Sequence, residues 1–330
     1  MGATLSQLFP PAPGLTETNL PSQKGKVFAI TGGTSGVGFE LAKILYYAGG
    51  TVFITSRSTP SLAATIKQIK SEALSESEGD IDGVVLDLAD LSTIKQAAEA
   101  LLAKTRHIDV LFLNAGVSQP PPGITTAQGY ELQLGVNCLG HFLLAHILLP
   151  ALVTAADKSK ERQEVPGTTR IIWTSSQVVD GAPTGGFPMS VIVTPPAKPI
   201  VNYTNSKLGN WYLASYFSTL PQVRNSSILS ITQNPGNMKT NLMRHGAKWM
   251  YYLAFPLLYP GKMGAYTELW AGLSSELGML DAGGYVVPWG RKHPGLREDL
   301  LKSLKSKENG GTGRAEEFAA WCEEQVKDFR

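Results

Sequence analysis

Lys26-Val27-Phe28-Ala29-Ile30-Thr31-Gly32-Gly33-Thr34-Ser35-Gly36-Val37-Gly38 decides how the rest of the chain is read. An apolar run over 27–31 stops at a turn with glycines at 32, 36 and 38. Apolar residues at helical spacing resume over 37–47. Glycines in such a turn let the backbone approach a pyrophosphate, whose charge meets the free N–H groups at the helix start. The spacing Gly-x-x-x-Gly-x-Gly is longer than the Gly-x-Gly-x-x-Gly fingerprint, so the turn carries weight only with its flanking strand and helix.

Outward from this unit the same alternation continues. Short apolar runs at 51–55, 83–87, 109–113, 170–174, 227–232 and 284–287 read as strands. Longer stretches at about 60–77, 91–105, 127–154, 202–219 and 262–277 read as helices. Strands alternating with helices predict a Rossmann-type α/β fold, a doubly wound parallel sheet of about seven strands covered on both faces. Residues 25–292 form one domain. Pro10, Pro11, Pro13, Gly14 and Pro21 make 1–24 an extended arm rather than an element. Residues 293–330 form a charged helical extension, with a Gly310-Gly311-Thr312-Gly313 break before an amphipathic helix. Residues 176–201 read as an inserted loop.

The 330 residues carry a net charge of +2, too little to make nucleic acid or an anionic membrane the main partner. Two cysteines, Cys138 and Cys322, give no disulfide framework and suggest a reducing, cytoplasmic setting. The longest apolar runs, 141–153 and 249–260, fall short of the roughly 20 residues of a membrane span. No basic-then-apolar secretory leader opens the chain. Met1-Gly2-Ala3-Thr4-Leu5-Ser6 fits the loose N-myristoylation pattern and is read as a chance match on a flexible start. At most a weak contact with the surface of an internal membrane is expected.

The chemistry-bearing pair is Tyr203 and Lys207, one helical turn apart in Tyr-Thr-Asn-Ser-Lys. An ammonium on the same face favours phenolate and draws the tyrosine down from its usual value of about 10. Carbonyl–alcohol redox chemistry needs such an acid–base group. Arg57 falls just after the second strand, where an adenosine ribose would lie. No carboxylate occurs over 51–64, so a 2′-phosphate, and hence NADP(H), is favoured over NAD(H). His141 and His146 are five apart on diverging helix faces, and no metal-ligand spacing is found.

Gly32, Gly36 and Gly38, then Asn114-Ala115-Gly116, Ser176, Tyr203-x-x-x-Lys207 and Pro235-Gly236, in this order, resemble the short-chain dehydrogenase/reductase family over about 25–290. Arg57, the Asn-Cys-Leu-Gly-His-Phe run at 137–142 and the long insertion before the tyrosine resemble its retinol-dehydrogenase-like branch. The stretch 284–291 is similar to fungal members of that branch. The resemblance implies a tetrad of Asn137, Ser176, Tyr203 and Lys207. It places a dinucleotide against Gly32, Thr34, Ser35, Gly36, Val37, Gly38, Arg57, Asp87, Leu88, Asn114, Ala115, Gly116, Pro235, Gly236, Met238 and Thr240, with Tyr203 and Lys207 beside the nicotinamide. In the implied mechanism Tyr203 exchanges a proton with the substrate oxygen during hydride transfer, and Lys207 lowers the phenol pKa and holds the ribose. Ser176 polarises the oxygen, with Ser175 the alternative, and Asn137 supports a water-linked proton path. The separation of Ser176 from Tyr203 is longer than is usual in the family, which leaves the substrate mouth open to question. Family members are often dimers or tetramers, so the resemblance allows a homo-oligomer.

Trp249, Met250, Tyr251, Tyr252, Phe255 and Tyr259 cluster where the family places a lid. They read equally as lid or helix core; a lid of this composition implies a lipophilic substrate such as a secondary metabolite. A non-redox tailoring enzyme or a cofactor-binding scaffold protein is the alternative, and neither needs the four tetrad residues together.

Overall fold

In the computed structural model, residues 2–73, 77–239 and 258–330 are described. Strands β1 (Val27–Ile30), β4 (Val110–Leu113), β5 (Arg170–Thr174) and β6 (Leu229–Gln233) are buried at every position, as expected of a sheet covered on both faces. With β2 (Thr51–Ser56), β3 (Asp80–Val85), β9 (Tyr285–Val287) and β10 (Arg291–Lys292) they form an eight-stranded sheet. Its order is β10-β9-β6-β5-β4-β1-β2-β3. All pairings are parallel except β9 with β10. A two-residue ladder of β7 (Met238–Lys239) and β8 (Tyr259–Pro260) stands apart from it.

Strand alternation divides the interior. Phe28 and Ile30 enter the core beneath α2 (Gly36–Tyr47), while Val27 and Ala29 enter the larger core on the opposite face. The first core is completed by the helix Gly261–Leu273 and the second by Leu91–Leu102, His141–Glu161 and Pro199–Thr219. β1 lies between β2 and β4, so strand order reverses there. Ligands of such sheets bind beyond the strand C-termini at that reversal.

Several elements differ from the sequence reading. β3 starts and ends earlier than 83–87, so Asp87 lies past the strand. The helix after β2 is Thr59–Ser71, shorter than 60–77. The stretch 127–154 is not one helix: Leu132–Leu134 leads into a π-helical turn, Gly135–Gly140, and α-helix resumes over His141–Glu161. Apolar periodicity cannot register a turn closed by one extra residue. The run Leu132–Glu161 is long and apolar enough to cross a membrane, but 72% of its apolar window is buried inside the fold.

The N-terminal arm is not wholly extended, because α1 (Gly2–Leu8) is helical and Gln7 is buried. Its prolines begin only at Pro10, leaving the first turns free to form. The insertion contains a 3₁₀ turn, Gln177–Gly181, and a short helix, Ser190–Val193. The helix bearing Tyr203 begins at Pro199. Thr240 and the aromatic residues 249–255 lie outside the described residues; Tyr259 lies within them.

The C-terminal extension packs into the main core. Phe318, on the helix Arg314–Val326, meets Phe187 of the insertion at 5.2 Å and Tyr212 of the Tyr203 helix at 6.3 Å between ring centres. The Tyr212 hydroxyl bonds the Ser303 hydroxyl at 3.0 Å, so insertion and tail both brace the helix that carries Tyr203 and Lys207.

Arg170, 3% exposed, closes the opposite end of the sheet. Its guanidinium donates to the carbonyls of Gly167, Ala271, Ser274 and Leu277, gathering the C-terminal end of the helix Gly261–Leu273. A cation there also meets the negative end of the helix dipole. Arg170→Met should leave these carbonyls unpartnered and lower unfolding stability by about 3 kcal/mol or more, read by denaturant titration. A loss under about 1 kcal/mol would refute this role.

Candidate active site

A cleft of about 470 Å³ runs along the C-terminal edge of the sheet. Arg57 and Asp87, after β2 and β3, line it at one end, and Ser176, Tyr203 and Lys207 line it at the other. Gly32, Ser35, Gly36 and Asn114–Gly116 lie between, past β1 and β4, while Asn234–Gly236 follow β6 on the far side of β5. Thr34, Val37, Leu88 and Met238 also line it, the last three largely buried.

The glycine turn has the shape its sequence demands. Gly36 has φ +59°, a left-handed conformation that glycine adopts without a Cβ penalty. A Cβ on Gly38 would stand 2.5 Å from Asn114 Nδ2 and 2.7 Å from the Gly32 carbonyl. Asn114 Nδ2 in turn donates to the Thr31 carbonyl at 2.8 Å, tying the turn to the end of β4. Ser35 caps α2 without a side-chain bond to it, so its first N–H groups are left for a ligand. Thr34 Oγ1 bonds Ser56 at 3.4 Å. Asp87 accepts from the Ala89 N–H at 2.9 Å. Arg57 is exposed and makes no ion pair among the described residues. An uncapped helix start beside this cleft fits the pyrophosphate of a dinucleotide.

At the inner end the Tyr203 hydroxyl is hydrogen-bonded to the side chains of Ser176 and Ser118. Ser175, the alternative serine, is buried and donates to the Lys207 carbonyl at 2.8 Å, so it serves the helix instead. Lys207 Nζ donates to the Thr174 carbonyl at 3.0 Å and lies 5.7 Å from the centre of the Tyr203 ring. Burial pushes the lysine down to about 8, and burial pushes the phenol up to about 12 despite the two serines. The expected lowering of the phenol by Lys207 is therefore not what these side chains do by themselves. Desolvation outweighs a cation whose ammonium is turned toward Thr174.

Asn137 is fully buried in the π-helical turn. Its amide exchanges bonds with the Val117 backbone, donating to the carbonyl at 3.0 Å and accepting from the N–H at 2.9 Å. A Cβ on Gly116 would sit 3.2 Å from Asn137 Oδ1 and 3.5 Å from Lys207 Nζ, so the two tetrad members converge there. The Asn137 carbonyl faces His141 Nδ1 at 3.1 Å, and His141 Nε2 faces Thr31 Oγ1 at 2.9 Å. Burial pushes this histidine down to about 3, so it is neutral. The carbonyl can only accept, which assigns the proton to Nδ1 and makes Nε2 the acceptor of the Thr31 hydroxyl. His146 instead packs against Phe142 and Phe217.

Three residues escaped the sequence reading. Ser118 sits two places beyond the Asn114-Ala115-Gly116 turn, a position that could have been weighed. Thr31 gives no signal of its own. Glu268 does: it is a lone carboxylate within an apolar helical stretch, and it is fully buried. One of its oxygens faces Thr174 Oγ1 at 3.3 Å and Gln233 Nε2 at 3.1 Å, and the other has no partner among the described residues.

Burial pushes Glu268 up from 4.5 to about 8. Below 4.5 the carboxyl is protonated in both folded and unfolded chains. As pH rises toward 8 the unfolded chain releases a proton that the folded one keeps, so stability falls across that window. Glu268→Gln should remove this loss, gaining on the parent by an amount that grows from pH 5 to 8 to the order of a few kcal/mol. Parallel pH–stability curves for the two proteins would contradict it.

Residues 26–180 match the model of the short chain dehydrogenase family. A short-chain dehydrogenase/reductase of Phomopsis amygdali is 40% identical over 329 residues, covering 98% of this chain and 96% of its own. The short-chain dehydrogenase/reductase bet4 of Neocamarosporium betae is 38% identical over 330 residues, covering 98% and 93%. Among solved structures, a short-chain type dehydrogenase/reductase from Mycobacterium marinum shares the fold with a TM-score of 0.60 at 19% identity, over 83% of this chain and 98% of that one. The 3-ketoacyl-(acyl-carrier-protein) reductase of Brucella melitensis, complexed with NADH, does so with a TM-score of 0.58 at 21% identity, over 80% and 96%. With near-full-length relatives at this identity and this sheet order, the chain belongs to the short-chain dehydrogenase/reductase family of oxidoreductases.

Proposed function

We propose that this oxidoreductase uses NADP(H) to interconvert a ketone or aldehyde and an alcohol on a lipophilic small molecule. The observation that carries the reading is the Tyr203 hydroxyl, buried at the inner end of the cleft and hydrogen-bonded to Ser176, with Lys207 one turn along the same helix. When bound, the nicotinamide supplies the hydride chemistry. The α2 N-terminus would hold the pyrophosphate, and Arg57 would pair with the 2′-phosphate.

The chain's own contribution is to the oxygen. In the reducing direction a substrate carbonyl oxygen replaces one serine as the partner of the Tyr203 hydroxyl and accepts a second bond from Ser176. That donor stabilises the negative charge growing on oxygen. Tyr203 then delivers its proton to the oxygen, and in the oxidising direction takes it back. A phenol near 12 holds its proton firmly, so oxidation requires a bias toward phenolate beyond what Lys207 gives while its ammonium donates to the Thr174 carbonyl. Asn137 fixes the Val117 backbone against the tetrad.

Pro120, Pro121, Ile124, Leu132 and Val136 wall the cleft. This apolar lining supports a lipophilic substrate, and the reading extends to the ketone of a polyketide-like or terpenoid secondary metabolite.

Two measurements test it. Tyr203→Phe should cost roughly 10²–10⁴-fold in turnover of a panel of lipophilic ketones followed by NADPH absorbance, with cofactor binding retained; near-normal turnover would end the assignment. Arg57→Asp should reduce the preference of kcat/KM for NADPH over NADH by roughly 10–100-fold. An unchanged ratio would remove the case for the 2′-phosphate.

A further inference from the structure

We propose that Gln7, on the N-terminal helix α1, is a positioning residue of the active site, fixing the Asn234–Gly236 segment that borders the cleft. The inference deepens the cofactor reading above and rests on it. Gln7 and Asn234 are 2% and 1% exposed. The orientation of each amide follows from its neighbours. The Gly236 N–H donates to Asn234 Oδ1 at 3.0 Å, so Asn234 Nδ2 points away from the cleft and donates to Gln7 Oε1 at 2.9 Å. Gln7 Nε2 is thereby directed to Asp180 Oδ2 at 3.1 Å, with His293 Nε2 beside it at 3.5 Å. Asp180 belongs to the 3₁₀ turn whose cap is Ser176. A directional relay thus runs from a glycine in the cleft wall, through two side-chain amides, to the turn behind the serine that bonds Tyr203.

The helix is fastened elsewhere as well. Arg291 donates to the Ser6 carbonyl at 2.8 Å, and the Tyr259 hydroxyl donates to the Leu8 carbonyl at 3.0 Å. α1 is therefore bonded to Asn234 ahead of the stretch 240–257 and to Tyr259 behind it. Seven residues are too few for a helix to persist unaided in water, so α1 depends on these bonds and transmits their restraint. Gln7 does not line the cleft itself and acts on its wall through Asn234.

The test compares the full-length protein with Gln7→Ala, Gln7→Glu and the double variant Gln7→Glu/Asp180→Asn. Gln7→Glu keeps size and the bond from Asn234 but sets a carboxylate against Asp180; Asp180→Asn then supplies a donor to it. Hydrogen exchange of 234–238, binding of NADPH and NADH by fluorescence titration, and melting temperature are read together. Both single variants should exchange about tenfold faster at 234–238 and bind the cofactor about tenfold more weakly, the scale of one buried hydrogen bond. The double variant should return toward the parent on both. Parent-like exchange and affinity in the single variants would overturn the proposal. So would a lower melting temperature in the single variants with exchange at 234–238 and affinity unchanged, since α1 would then be an anchor alone. A parent protein that binds neither nucleotide would sink the cofactor reading, while the exchange data still decide whether Gln7 restrains this segment.

Discussion

The carbonyl of Thr174, the last residue of β5, receives hydrogen bonds from both Lys207 Nζ and Asn210 Nδ2. The same residue's hydroxyl accepts from Gln233 Nε2 and faces Glu268 on the other side of the sheet. One strand end therefore joins the helix of the acid–base pair to the helix Gly261–Leu273, and sets the depth of the lysine in the cleft. Thr174 is paired with Gln233 of β6, one residue past the point where the β4 ladder ends at Leu113 and Trp173. A lysine placed from such a point is pre-organised, which an enzyme needs more than a lysine that is merely nearby.

The price of that placement is burial. Lys207, Glu268, His141 and Tyr203 are all removed from water and all displaced toward their neutral forms. Pairing Lys207 with a direct carboxylate partner would have held it charged and inert. The fold instead gives the lysine a carbonyl and leaves the carboxyl to a threonine and a glutamine. Burial then draws Lys207 down and Glu268 up, each toward its neutral form.

How much of this was legible in the chain follows from what each residue type can do alone. The β1-turn-α2 unit was readable because glycine at 36 and 38 answers a purely local demand of φ and contact. Tyr203 and Lys207 were readable because a four-residue spacing on a helix is itself geometry. The π-helical turn was not, since it changes hydrogen bonding without changing apolar period. α1 was not, because its bonds lie with residues more than 170 positions away, at Asp180 and Asn234. Ser176 is preferred to Ser175 only through the family resemblance, not from the residues themselves. Their roles diverge because adjacent residues leaving a strand point to opposite faces, one toward the helix and one toward the cleft.

The aromatic stack of Phe187, Tyr212 and Phe318 links three stretches of chain that a family-level view treats as separable: the insertion, the catalytic helix and the tail. Phe187 and Phe318 are both fully buried and pack edge to face on each other. The insertion is consequently not a free module. Grafting it onto a shorter relative without the last helix would take away the ring that Phe187 packs against, so these two distant segments must be exchanged as a set.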